Sequence, residues 1–135
     1  MISPKDYDRF LAAKTASLIR ENFSEKGVTN LLVVKWGPKW KNTLGRIKPL
    51  KDTEYGSIIE INSYLKSLQV PTYVLDYVIM HELAHYFQGF GSNHKRKHKH
   101  PHRGGIVEKE LSRRGWEEII NKSEKWIKEN WKNIK

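Results

Sequence analysis

The sequence predicts a single α+β domain over residues 1–135, with helices flanking a small sheet. Three observations lead there. A length of 135 residues suits one hydrophobic core. Apolar residues recur at helical spacing over roughly 4–25, 72–88 and 106–134. Between the first two helical stretches, three short apolar runs rich in β-formers lie close together in the chain.

The first helix starts on Ser3-Pro4-Lys5-Asp6, with Ser as N-cap, Pro at the first helical position and an acid three residues after the cap. Tyr7, Phe10, Leu11, Leu18 and Ile19 supply its spacing, and Gly27 is a plausible stop, so it should span about 4–25. The β-rich pieces are 31–36, broken by Gly37-Pro38; 43–50, where Pro49 marks an edge or a strand end; and 57–62, preceded by a polar turn. Strands this close most simply form a meander, a three-stranded, mainly antiparallel sheet.

Pro71-Thr72 opens the next helix, and Gly89 ends it. Val74, Leu75, Val78, Ile79, Leu83 and Phe87 make one broad apolar face, with His81 and His85 on the neighbouring face. Residues 91–103 form a polar, basic loop. A short helix follows Gly104-Gly105, carrying Ile106, Val107 and Leu111, and stops before Gly115. The last helix, about 116–133, gathers Trp116, Ile119, Ile120, Ile127, Trp131 and Ile134 on one side, and needs the sheet or the first helix to cover them.

Composition narrows the chemistry. The chain has no Cys, which excludes disulfides, thiolate zinc ligands and thiol catalysis together. Any metal must be held by His, Asp or Glu. The longest apolar run, Tyr73 to Met80, is interrupted by Asp76 and is too short to span a membrane. The first residues show no apolar core of a secretory signal, so a cytoplasmic protein is expected. A net charge of +10 attracts polyanions such as nucleic acid. The densest positive patch is His94-Lys95-Arg96-Lys97-His98-Lys99-His100, and no acid occurs between Glu82 and Glu108. The basic stretch 94–103 is either a nucleic-acid contact, with binding that weakens as salt rises, or a solvated loop with no partner.

His81-Glu82-Leu83-Ala84-His85 is an H-E-x-x-H motif inside a strongly periodic helix. Chance alone predicts roughly 0.02 occurrences in a chain of this composition. Two His four apart on a helix point the same way and can both bind one Zn²⁺ through imidazole nitrogen. The intervening Glu82 projects beside the metal, where it can take a proton from the attacking water and pass it to a leaving amine. A catalytic zinc needs a third protein ligand and an open position. All six His lie between His81 and His102, so His94, His98, His100 and His102 are candidates from one loop, with Glu108 and Glu110 as acidic alternatives.

These residues resemble a known family. The stretch from Leu44 to about Trp131 is similar to the SprT-like and YgjP-like zinc metallopeptidases, small relatives of the gluzincin-type fold. Their pattern is a strand with G-x-I-x-L/I-N, a loop, a Pro, and a helix reading V-I/L-D-Y-V-V/I-x-H-E-L-x-H. Here stand Gly56-Ser57-Ile58-Ile59-Glu60-Ile61-Asn62, one residue longer, then Pro71, then Val74 through His85 in near-complete agreement. Leu44-Gly45-Arg46 is a weaker counterpart of the family's Trp-Gly-Ser turn. The family's third ligand is a downstream His, which the register of Pro101-His102-Arg103-Gly104-Gly105-Ile106 places at His102; His94, His100 and Glu108 stay open as alternatives. Trp126-Ile127-Lys128-Glu129-Asn130 matches the closing segment of the YgjP-like proteins. Two departures are plain: the basic loop is longer, and the Cys-based ribbon of the bacterial SprT type is missing.

The resemblance implies a zincin-like domain holding Zn²⁺ on His81, His85 and His102, with Glu82 as catalytic base, cleaving protein or peptide substrates, some associated with DNA. Asp76 could stand behind the metal ligands or be an ordinary helix charge, and the 58–61 strand could offer a substrate its edge. Two rivals differ in class. A nucleic-acid-binding module with structural zinc would close the site with four ligands and make Glu82 dispensable. An inactive scaffold of the same fold would hold no metal.

Overall fold

A computed structural model of the chain describes residues 4–28, 31–50, 56–89 and 105–135. The elements run α1 (Pro4–Asn22), β1 (Leu31–Gly37), β2 (Gly45–Pro49), β3 (Gly56–Asn62), a 3-10 turn (Ser63–Lys66), α2 (Thr72–Phe87), α3 (Ile106–Arg113) and α4 (Glu117–Ile134). The α+β class is as expected. Among the described residues no helix is long and apolar enough to cross a membrane.

Helix α1 stops at Asn22, short of the expected 25. Phe23 is drawn out of the helix into the core, where it is fully buried and stacks on Phe87 with ring centroids 4.7 Å apart. The Asn22 side chain secures the end by donating to the Leu18 carbonyl, while its oxygen accepts from the Trp116 indole. The inward face of α1 rests on Leu11 and Leu18, with the hydroxyl of buried Thr15 returned to the Leu11 carbonyl.

The sheet corrects the expected meander. Its order is β1-β3-β2, with β1 parallel to β3 and β2 antiparallel to it, so the sheet is mixed. The cause lies in residues 38–44, which cross the end of β3 and deliver β2 to its far side. Asn62, the last residue of β3, holds that crossing: its amide donates to the carbonyls of Trp40 and Thr43, both at 2.8 Å, and its backbone N–H donates to Leu44. Gly37 lets Trp40 lie against the strand, since a Cβ there would stand 2.8 Å from the indole. A direct β1–β2 hairpin would need a short turn instead.

As the middle strand, β3 is buried along its whole length. Val34, Trp36, Ile47, Ile59 and Ile61 join the core beneath the helices. On the opposite face buried Glu60 meets Arg46 at 2.8 Å and Lys48 at 3.4 Å. Burial pushes the Glu60 carboxyl up, but the hydrogen bond and charge of Arg46, with Lys48, outweigh it and hold it below the usual range.

Helix α2 is apolar on nearly every side, as a central helix must be. It touches α1, α3, α4 and the sheet. Gly89, at φ 87°, terminates it in the left-handed conformation that favours Gly. That all-round surface explains a second correction. Helix α4 packs mainly on α2 and α3, not on the sheet or α1. It buries Ile120, Ser123 and Trp131; the Trp131 indole donates to the Lys41 carbonyl at 2.7 Å and meets Tyr64 edge-on.

Candidate active site

His81 and His85 sit on successive turns of α2 with their Nε2 atoms 3.2 Å apart and their rings at 77°. Two nitrogens bound at 2.0–2.1 Å to one tetrahedral zinc would stand roughly 3.3–3.4 Å apart. The pair therefore has the spacing of two ligands of one ion. His85 is 1% exposed, whereas His81 is half-buried and reaches the surface. Of the pair, His81 is thus the one that reaches solvent.

Glu82 lies between them and is 5% exposed. Loss of water pushes its carboxyl up to about 8. It faces a cavity of about 270 Å³. One wall is α2, through Tyr77, Val78, His81 and Glu82; the other is the chain from Asn42 to Gly45. Gly45 brings these walls together: a Cβ there would stand 3.1 Å from Val78 Cγ1 and 3.3 Å from Glu82 Cγ. A larger cavity of about 570 Å³ lies between α1 and the start of α2, but it is mainly apolar and its lining has no His or Glu. His81 and Glu82 line the smaller one.

The wall of residues 42–45 is set by Asn62 through the crossing described above. The motif around Asn62 was legible in the sequence, but its role in shaping the cleft was not. Asn62→Asp would turn two buried donors into an acceptor facing two carbonyls. We expect a loss of about 3 kcal/mol in unfolding free energy, read by urea denaturation. Asn62→Ser, which keeps a donor, should lose less.

Tyr77 was also missed as a site residue. Its ring lies edge-on to His81, 6.1 Å between centroids, and its hydroxyl donates to Glu124 of α4 at 3.4 Å. Burial, with the charges of Glu108 and Glu124, raises its hydroxyl well above the usual tyrosine range, so it stays protonated. Asp76 turns away from the site: it pairs with Lys14 of α1 at 3.2 Å and ties two helices together. The 58–61 segment cannot accept a substrate strand, because β3 is paired on both sides. Among the described residues, β2 is an edge strand beside the cleft and begins at Gly45.

His94, His98, His100 and His102 lie outside the described residues, as does the basic stretch 94–103. Glu108 is described, and its Oε1 stands 3.7 Å from His81 Nδ1, not at the Nε2 pair. Glu110 turns instead to Arg113 and Arg114. Among the described residues, no group of three or more His, Asp or Glu is assembled to hold a metal ion. Comparisons with family models, with curated proteins and with solved structures find no match for this chain.

Proposed function

We propose that this chain is a zinc-dependent peptidase of the H-E-x-x-H type, similar to the SprT-like and YgjP-like enzymes, with a zincin-like catalytic core. The observation that carries the reading is the 3.2 Å approach of two Nε2 atoms beside a buried carboxyl that opens onto a cleft. His81 and His85 would hold Zn²⁺, and His102, from the stretch after α2, would complete the set. When bound, zinc would supply the Lewis acidity that makes water a competent nucleophile at neutral pH and polarises a carbonyl.

The protein's own residues do the rest. Glu82 takes the proton of the attacking water and returns it to the departing amine. Its burial leaves few waters to compete for that proton. The edge that β2 presents among the described residues would offer main-chain groups to an extended peptide and bring a scissile bond alongside Glu82. The net charge of +10 supports substrates associated with polyanions, DNA-bound proteins among them.

The test is metal content with hydrolysis. The purified full chain should hold one zinc, cleave an unfolded protein such as casein, lose cleavage on chelation and regain it with Zn²⁺. His102→Ala should lose the metal, while His98→Ala should keep it. A zinc held by four protein ligands without hydrolysis would move the reading to a structural-zinc module that binds nucleic acid. Absence of any zinc binding would leave only the scaffold.

A further inference from the structure

An imidazole that binds metal through one nitrogen carries its proton on the other, and the partner of that N–H sets both tautomer and ring angle. In this pair the two histidines differ. His85 is packed into the core and has little room to rotate. His81 is half-buried, so packing alone holds it less firmly. Both present Nε2 to the shared position, which leaves Nδ1 of His81 pointing the other way.

Among the described residues Glu108 stands on that side, with Oε1 3.7 Å from Nδ1. Closing that gap by about 0.5–1.0 Å would bring it to the 2.7–3.2 Å of a hydrogen bond. Glu108 is well placed to hold this position. It lies in the first turn of α3, whose Val107 and Leu111 are buried in the core beside α2. Gly105, at φ 66°, turns the chain sharply into that helix. The carboxylate is thus carried by a docked element. Because it approaches Nδ1 and not the Nε2 pair, it acts behind the ligand.

We propose that Glu108 is a positioning residue that accepts the Nδ1–H hydrogen bond of His81 and fixes the tautomer whose Nε2 faces the metal. This rests on the zinc reading above and names a part of the site that the H-E-x-x-H motif does not contain.

The experiment compares the full-length wild type with Glu108→Ala and Glu108→Gln. Zinc affinity is measured by competition with a chromogenic chelator. The Ala variant should bind zinc about 10–100-fold more weakly. The Gln variant, which keeps an acceptor oxygen, should recover part of the loss. Thermal melts of the metal-free proteins should coincide, because the Glu108 side chain is 35% exposed. Two spectroscopic readouts separate positioning from packing or ligation. The cobalt-substituted Ala variant should keep the d–d bands of the wild type. Nitrogen NMR of the zinc-loaded wild type should show His81 protonated at Nδ1, with that N–H exchanging faster in the Ala variant. Unchanged zinc affinity in the Ala variant overturns the proposal. Altered d–d bands also overturn it, by making Glu108 a ligand. A wild type that binds no zinc fails the zinc reading itself and this proposal with it, whereas zinc bound equally by all three proteins fails the proposal alone.

Discussion

Glu82→Gln should leave the zinc in place and reduce hydrolysis by about 10²- to 10⁴-fold, the range for loss of a general acid–base. The substitution is nearly isosteric at a site 5% exposed, so packing hardly changes. What disappears is a group able to take a proton from water and give it back. His81 and His85 keep their nitrogens and hence the metal. The fall should appear in kcat with zinc content constant. It should not appear as a loss of folded protein, since Glu82 is already uncharged in the metal-free folded chain at neutral pH and Gln puts a neutral group of nearly the same shape in its place. The rivals predict otherwise. A structural zinc site would hold its metal and keep its binding function unchanged in this variant, because nothing there would use Glu82 for chemistry. Full retention of peptidase activity would remove Glu82 from the mechanism.

Helix α2 was the most legible part of this chain. Its apolar spacing, its Pro71 start and its Gly89 stop are local features, and the two histidines inherit their geometry from 3.6 residues per turn. The sheet order was not legible, because it depends on pairings between distant residues. Three strands close in sequence favour a meander unless something carries one of them across another. Here that agent is Asn62, whose amide meets Trp40 and Thr43 only after the chain has folded back. The partner of α4 was hidden for a related reason. An apolar stripe shows that a helix must be covered and says nothing of what covers it; α2 served because it is apolar on faces that the sheet and α1 leave open. In the site, a motif search finds His81, Glu82 and His85. It gives no role to Tyr77, and the places of Gly45 and Glu108 arise only from the approach of β2 and α3 to α2. From residue type alone Glu108 is a candidate ligand. Its position on the Nδ1 side of His81 is what turns it into a supporting group.

The metal-free protein should lose stability as pH rises, and Glu82 should be a main cause. Burial raises its carboxyl from 4.5 to about 8 in the folded chain. Between those values the unfolded chain has released this proton while the folded chain still holds it. The folded state then binds more protons, so unfolding free energy falls with pH, by up to about 1.4 kcal/mol per pH unit across that window. Asp76, raised by burial despite Lys14, acts in the same direction from lower pH. Glu60 and Glu25, both lowered, act oppositely and cost stability as pH falls through their folded values. The difference between wild type and Glu82→Gln isolates the one group, since Gln does not titrate. Urea denaturation of both proteins from pH 5 to 8, without metal, should show the wild type declining more steeply and the two curves diverging throughout. Added zinc should shrink that divergence, because a cation beside Glu82 favours the charged carboxylate and brings its proton release down into the acid range. Parallel curves without metal would mean that the folded chain hydrates Glu82 well enough to ionise it normally. The same burial that strips water from Glu82 is then a cost that the free protein carries at neutral pH, and on the proposed zinc reading metal binding would relieve it.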